Sequence, residues 1–197
     1  AVGREGLRHR IAVLLATGLL FSASPAHAAG PARPAPAAQA RTVLVMGDSL
    51  SAGFGIAASQ SWVALTGARM AKTNPGWRVV NASISGETSA GGASRIDAEL
   101  KRLHPQIVVI ALGANDGLRG LPLAQTKANL DRMIQASKAA KARVLLIGMR
   151  MPPNYGAAYA DAFHALYGEL ASRYGTPLVG FFLEGVALDD KLMQADG

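Results

Sequence analysis

Apolar and polar positions alternate along this chain in two distinct periods. Short runs rich in branched residues cover 42–46, 78–81, 107–112, 143–149 and 177–180, and each reads as a strand. Between them, longer stretches at 61–72, 90–103, 123–141 and 157–174 carry apolar residues at helical spacing. In the last of these, Tyr159, Phe163, Leu166, Tyr167 and Leu170 recur three and four apart and form one apolar face. Runs such as Ile107-Val-Val-Ile-Ala-Leu112 suit strands buried on both faces, and strands recurring about every 30 residues suit βαβ units. The pattern predicts a three-layer α/β/α sandwich on a parallel sheet. In such folds ligands bind beyond the carboxyl ends of the strands. The places to search are therefore just after Met46, Asn81, Leu112 and Met149.

The first forty residues follow a different pattern. Arg4, Arg8, His9 and Arg10 precede the apolar run 11–21, and Ala26-His27-Ala28 is a small-x-small cleavage signal. The run is short for a bilayer core of about 30 Å, which disfavours a permanent anchor. A signal peptide is expected over 1–28, with export to the periplasm or medium and no stable membrane insertion after cleavage. Residues 29–40 are a Pro/Ala-rich tether. The folded domain is expected over 41–197.

Composition narrows the class. Of 197 residues, 50% are hydrophobic and 17% charged, which suits a globular core rather than a disordered chain. There is no cysteine, so neither a disulfide nor a lipidated cysteine can hold the exported protein. The formal charge is +7; removing 1–28 takes away three arginines and one glutamate and leaves +5. That excess is spread out, without the basic run or stripe that would indicate a nucleic-acid partner. Paired histidines or cysteines at metal-ligand spacing are absent, and no P-loop occurs, so no metal or cofactor is expected.

Each of the first three strand ends carries a polar block. These are Gly47-Asp48-Ser49-Leu50-Ser51, then Asn81-Ala-Ser83-Ile-Ser85-Gly86-Glu-Thr88, then Gly113-Ala-Asn115-Asp116. A serine hydroxyl is a weak nucleophile until a base takes its proton and donors await the tetrahedral oxyanion. Ser49 at a strand-to-helix turn would expose its Oγ at the sheet edge. Gly86 has no side chain to obstruct its N–H, and Asn115 offers an amide N–H. Asp48 is read as organising the turn, Asp116 as bracing its loop, and Ser83 and Ser85 as turn residues.

The blocks Gly47-Asp-Ser-Leu-Ser-Ala-Gly-Phe-Gly55, Asn81-Ala-Ser-Ile-Ser-Gly-Glu-Thr-Ser89 and Leu112-Gly-Ala-Asn-Asp-Gly-Leu-Arg-Gly120 resemble those of the SGNH (GDSL) hydrolase family. The likeness extends from residue 42 through 150–156 to residue 197, and is to its bacterial periplasmic thioesterase, lysophospholipase and arylesterase members. It implies a flavodoxin-like sheet and a serine esterase or thioesterase acting as a monomer on small ester, thioester or lysophospholipid substrates. It also implies Ser49 as nucleophile, with the Ser49 and Gly86 N–H groups and the Asn115 side chain as oxyanion hole. The family's fourth block is Asp-x-x-His, with His as base and Asp orienting it. Asp196-Gly197 resembles its opening. The base is thus expected beyond residue 197, the domain to lack its C-terminal end, and the fragment to be inactive.

Of the four histidines, His9 and His27 lie in the leader and His104 precedes Pro105 at a helix end. Asp161-Ala-Phe-His164 also spells Asp-x-x-His, but inside an amphipathic helix, where two residues three apart have a structural reading. Leu118, Leu121, Asn154 and Tyr155 are candidate substrate-pocket residues. Gly53-Phe-Gly55-Ile-Ala-Ala58 matches a dinucleotide-binding fingerprint, but six residues separate Met46 from Gly53 and no acid ends the second strand. A carbohydrate O-deacetylase of the same family and a non-catalytic ligand-binding module remain as alternatives. Trp62 and Trp77 lie outside the blocks, which favours acyl chains over sugars.

Overall fold

The computed structural model describes residues 40–187 and 189–194. The expected signal peptide, the tether up to residue 39, and Asp196 lie outside the described residues.

Five strands form one parallel sheet: β1 (Arg41–Gly47), β2 (Trp77–Asn81), β3 (Ile107–Ala111), β4 (Arg143–Ile147) and β5 (Leu178–Val179). Their spatial order is β2-β1-β3-β4-β5. Strand β1 pairs on both edges, with Val45 opposite Asn81 on one side and Gly47 opposite Ala111 on the other. The chain therefore leaves β1 towards one edge and returns to its other side. That reversal opens a crevice at the carboxyl ends of β1 and β3.

Alternation along the strands divides the core in two. Leu44, Met46, Val108, Ile110, Val144 and Leu146 face α3 (Ser89–Leu103), α5 (Leu123–Ala139) and α6 (Ala157–Tyr174). Val43, Val45, Val109, Ala111 and Ile147 face the other way, towards α2 (Trp62–Thr73) and Phe182. The helical face read from 157–174 is the one buried: Phe163, Leu166, Tyr167 and Leu170 are almost solvent-free.

Helix ends follow local chemistry. Ser61 accepts from the Ala64 N–H and caps α2, and Thr88 accepts from the Gly91 N–H and caps α3. Helix α3 stops at His104, in the left-handed region at φ 44°, with Pro105 behind it.

Two strands end earlier than the sequence pattern predicts. Apolar character continues through Leu112 and Met149, and both are buried, but neither belongs to a strand. Their carbonyls are taken by side chains of α6: Tyr167 donates to Leu112 O at 3.0 Å, and His164 Nδ1 sits 3.3 Å from Met149 O. Burial thus outlasts pairing, and the chain is released from the ladder at the sheet's carboxyl edge. Two single-turn helices, α1 (Ser49–Ala52) and α4 (Ala114–Leu118), begin there. Neither is long enough to leave a period in the sequence.

Close packing removes latitude at this edge. A Cβ on Gly148 would lie 2.4 Å from Gly180 O, a backbone atom that cannot swing aside. Gly148→Ala is expected to cost about 1–3 kcal/mol through overpacking. Phe163→Ala is expected to cost about 3–5 kcal/mol through a cavity between α6 and the sheet. Both are read from urea midpoints at unchanged slope.

Candidate active site

Strand β1 delivers Ser49 to the crevice through a tight turn. Asp48 caps α1, its carboxylate accepting the Leu50 N–H at 3.1 Å. The Gly53 and Phe54 N–H groups both donate to Ser49 O, closing the turn beneath the serine. Gly47 permits the approach: a Cβ there would meet Ser51 Oγ at 2.5 Å and Ser83 Oγ at 2.9 Å. Ser49 itself is half-buried, while Asp48 and Ser51 on either side are buried.

The loop after β2 is tied to the same turn. Ala82 N donates to Val45 O and Ile84 N to Gly47 O, extending the β1–β2 register beyond the strands. Gly86 then turns at φ 77°, a region open to glycine. Arg119 Nη2 holds the Gly86 carbonyl at 3.0 Å from the far side. Arg95 grips both oxygens of Glu87 and also donates to Ala82 O at 2.7 Å. The Ser49 and Gly86 N–H groups donate to no backbone carbonyl among the described residues.

Strand β3 supplies Asn115 through Gly113, whose φ of 113° and contact with Tyr167 exclude a side chain. Asn115 Nδ2 donates to Glu87 O at 3.0 Å and lies 3.5 Å from Asp48 Oδ2. One amide group thereby links the blocks following β1, β2 and β3. Its second N–H is only loosely held by Asp48, at the long end of hydrogen-bond distance. Asp116 braces the loop from below: it accepts from Ser89 N at 2.7 Å, Ser89 Oγ at 2.5 Å and Thr126 Oγ1 at 3.3 Å.

A cavity of about 630 Å³ opens beside Ser49 and Asn115. Its walls are apolar, from Leu118 on α4, Met149 and Met151 after β4, and Phe181, Leu183 and Met193 beyond β5. A smaller recess of about 240 Å³ also borders Ser49, against Phe54, Ile56 and Leu192.

Of the pocket residues expected from sequence, only Leu118 lines the larger cavity. Leu121, Asn154 and Tyr155 lie outside its walls. Tyr155 donates to Leu118 O at 3.1 Å and Tyr159 to Leu121 O at 3.3 Å, so the tyrosines brace the 118–121 loop from behind. Asn154 stands exposed on the single turn Pro153–Tyr155. Among the described residues, no histidine lines either space beside Ser49. His164 instead points at Met149 O and Arg150, and Asp161 is exposed. The residues missed from sequence are Phe181, Leu183 and Met193, whose loop has no regular period. Arg150 and Met151 fall where the strand-end rule directs attention.

Burial pushes the Asp48 carboxyl above its ordinary range; the Glu87 and Asp116 charges push the same way, against the Leu50 N–H bond. The native state therefore binds this proton more tightly than the unfolded chain does. The Asp48 contribution is most favourable near and below pH 3.8 and is lost as pH rises through the native value. Asp48→Asn keeps a good cap and removes the titration. Its stability relative to wild type is expected to improve as pH rises from about 3.8 and then level off. Urea unfolding across pH checks this, and a pH-independent difference would contradict it.

Residues 45–197 match the GDSL-like Lipase/Acylhydrolase family. The chain is 53% identical over 160 residues to the Esterase TesA of Pseudomonas aeruginosa, covering 81% of this chain and 80% of that one. It is 48% identical over 162 residues to the Thioesterase 1/protease 1/lysophospholipase L1 of Escherichia coli K12, covering 82% and 76% respectively. The crystal structure of AlinE4, an SGNH-hydrolase family esterase, superposes with a TM-score of 0.76 at 38% identity, covering 81% of this chain and 86% of that one. With this sheet order, three polar blocks meeting at its carboxyl edge and relatives of this closeness, the chain belongs to the GDSL-like lipase/acylhydrolase family and is an ester hydrolase.

Proposed function

We propose that this chain hydrolyses carboxylic ester and thioester bonds through an acyl-Ser49 intermediate. The observation that carries the reading is the meeting of Ser49 and Asn115 in one apolar cavity at the sheet's reversal point. Ser49 Oγ attacks the acyl carbon and gives its proton to a base. The carbonyl oxygen gains charge and is held by the Ser49 and Gly86 N–H groups and by Asn115 Nδ2. Collapse expels the alcohol or thiol, which takes the proton from the base. Water then attacks the acyl-enzyme under the same base, and the acid departs. We assign the base to the histidine of an Asp196-x-x-His block, with Asp196 orienting it.

The apolar walls suit acyl chains and aryl groups; the name of the Pseudomonas aeruginosa relative supports ester substrates, and that of the Escherichia coli relative supports thioester and lysophospholipid substrates. A carbohydrate O-deacetylase fits less well, since neither tryptophan lines the cavity: Trp62 packs on Phe182 and Trp77 lies under Arg41. A ligand-binding module without turnover is the reading that kinetics would separate. Among the described residues no helix is long and apolar enough to cross a membrane. The basic leader and Ala26-His27-Ala28 support export to the periplasm or beyond, with the exported hydrolase domain acting as a monomer.

The test is hydrolysis of short nitrophenyl esters by a polypeptide carried through the Asp196-x-x-His block. Ser49→Ala is expected to abolish turnover, and retained activity would end the proposal. Asn115→Ala is expected to lower kcat about 10²–10³-fold. A polypeptide ending at Gly197 is expected to be nearly inactive while folded. Robust turnover by it would move the role of base to a residue within 1–197.

A further inference from the structure

Among the described residues that wall the larger cavity, Arg150 is the single cation and Asp48 the single acid. Asp48 is buried and committed to the Leu50 N–H. None of the ion pairs among the described residues involves Arg150. Its guanidinium is nevertheless held on two sides. Phe181 presents its ring with the guanidinium carbon 5.9 Å from the centroid. His164 Nε2 lies 3.4 Å from Arg150 Nη2. The other ring nitrogen of His164 faces Met149 O, an atom that only accepts, so Nδ1 carries the hydrogen and Nε2 offers its lone pair to Arg150.

A surface arginine with no task is free to wander in water. This one is steadied by an aromatic face and a helix-borne imidazole at the edge of an otherwise apolar space. Among the described residues, most of its five N–H donors are left uncommitted. The sheet order places it two strands from Ser49, on the order of 10 Å at ordinary strand spacing. The cavity thus combines an acyl-accepting wall, a serine, and a fixed cation at a set separation.

We propose that Arg150 is an anion-recognition group of this cavity, binding a phosphate or carboxylate that the substrate carries about 10 Å from its reacting carbonyl. The planar fork matches the paired oxygens of either group. The anion could come from the phosphate of a lysophospholipid headgroup or from a carboxylate at the far end of the acyl chain. The inference rests on reading the cavity as the acyl-transfer site, and the test is by binding, so that it does not depend on turnover.

Calorimetry would compare two pairs of ligands that lack an ester. The first is 1-O-octylglycerol 3-phosphate against 1-O-octylglycerol; the second is the monoamide of octanedioic acid against octanamide. In wild type the anionic member of at least one pair is expected to bind about tenfold more tightly than its neutral partner. In Arg150→Met that ratio is expected to fall towards one. Arg150→Lys, which keeps the charge but loses the fork, is expected to retain part of it. His164→Leu, which removes the steadying contact, is expected to reduce it as well. A response of the phosphate pair places the anion on the leaving group, and of the carboxylate pair on the acyl chain. Neutral ligands that bind with no anionic advantage, or an advantage that survives Arg150→Met, would overturn the proposal alone. Failure of all four ligands to bind would overturn the reading of the cavity and this proposal with it.

Discussion

Strand β1 is hydrogen-bonded on both edges, to β2 and to β3, and nearly everything at the site depends on that double pairing. A strand so placed must be apolar on both faces, and Val43, Leu44, Val45 and Met46 are all buried. Because the chain departs to one side and comes back to the other, no crossover covers the carboxyl ends of β1 and β3. Ser49 and Asn115 emerge there together. The same register extends past the strands through Ala82 and Ile84, which brings the Gly86 turn alongside.

What holds the site in shape is a set of charged and amide groups at the sheet edge. Arg95 fastens the Glu87 carboxylate, Arg119 the Gly86 carbonyl, Asp116 the start of α3, and Asn115 the Glu87 carbonyl. Burial pushes the Asp48 carboxyl towards its neutral form, and the charges of Glu87 and Asp116 push it the same way. Such a cluster is tolerated because backbone N–H groups and arginines share the charge. It makes the edge stiff, which is the condition under which fixed donors stabilise a developing oxyanion without first reorganising.

The sequence pattern located strands and helices well where packing repeats. It placed the helix at 157–174 because Phe163, Leu166, Tyr167 and Leu170 must all meet one sheet face. It overran β3 and β4 because Leu112 and Met149 are buried without being paired, and hydrophobicity reports burial, not pairing. For the pocket, Leu118 was legible as an apolar residue among glycines. Leu121 lies three residues on, yet its carbonyl is held by Tyr159, and Tyr155, far along the chain, braces the same loop from behind. Phe181, Leu183 and Met193 belong to an irregular segment, where neither period nor composition marks the wall of a cavity.

The sequence by itself determined the class of sheet, the order of its elements and the polar blocks that end its first three strands. Those are local or periodic properties, written within a few residues of one another. Only the tertiary structure decided that one Asn115 amide bridges two other strand ends, that a helix-borne His164 serves Arg150 rather than Ser49, and which apolar side chains enclose the cavity. Each of these joins residues far apart in the chain, through side-chain directions set by packing, and no local pattern carries that information.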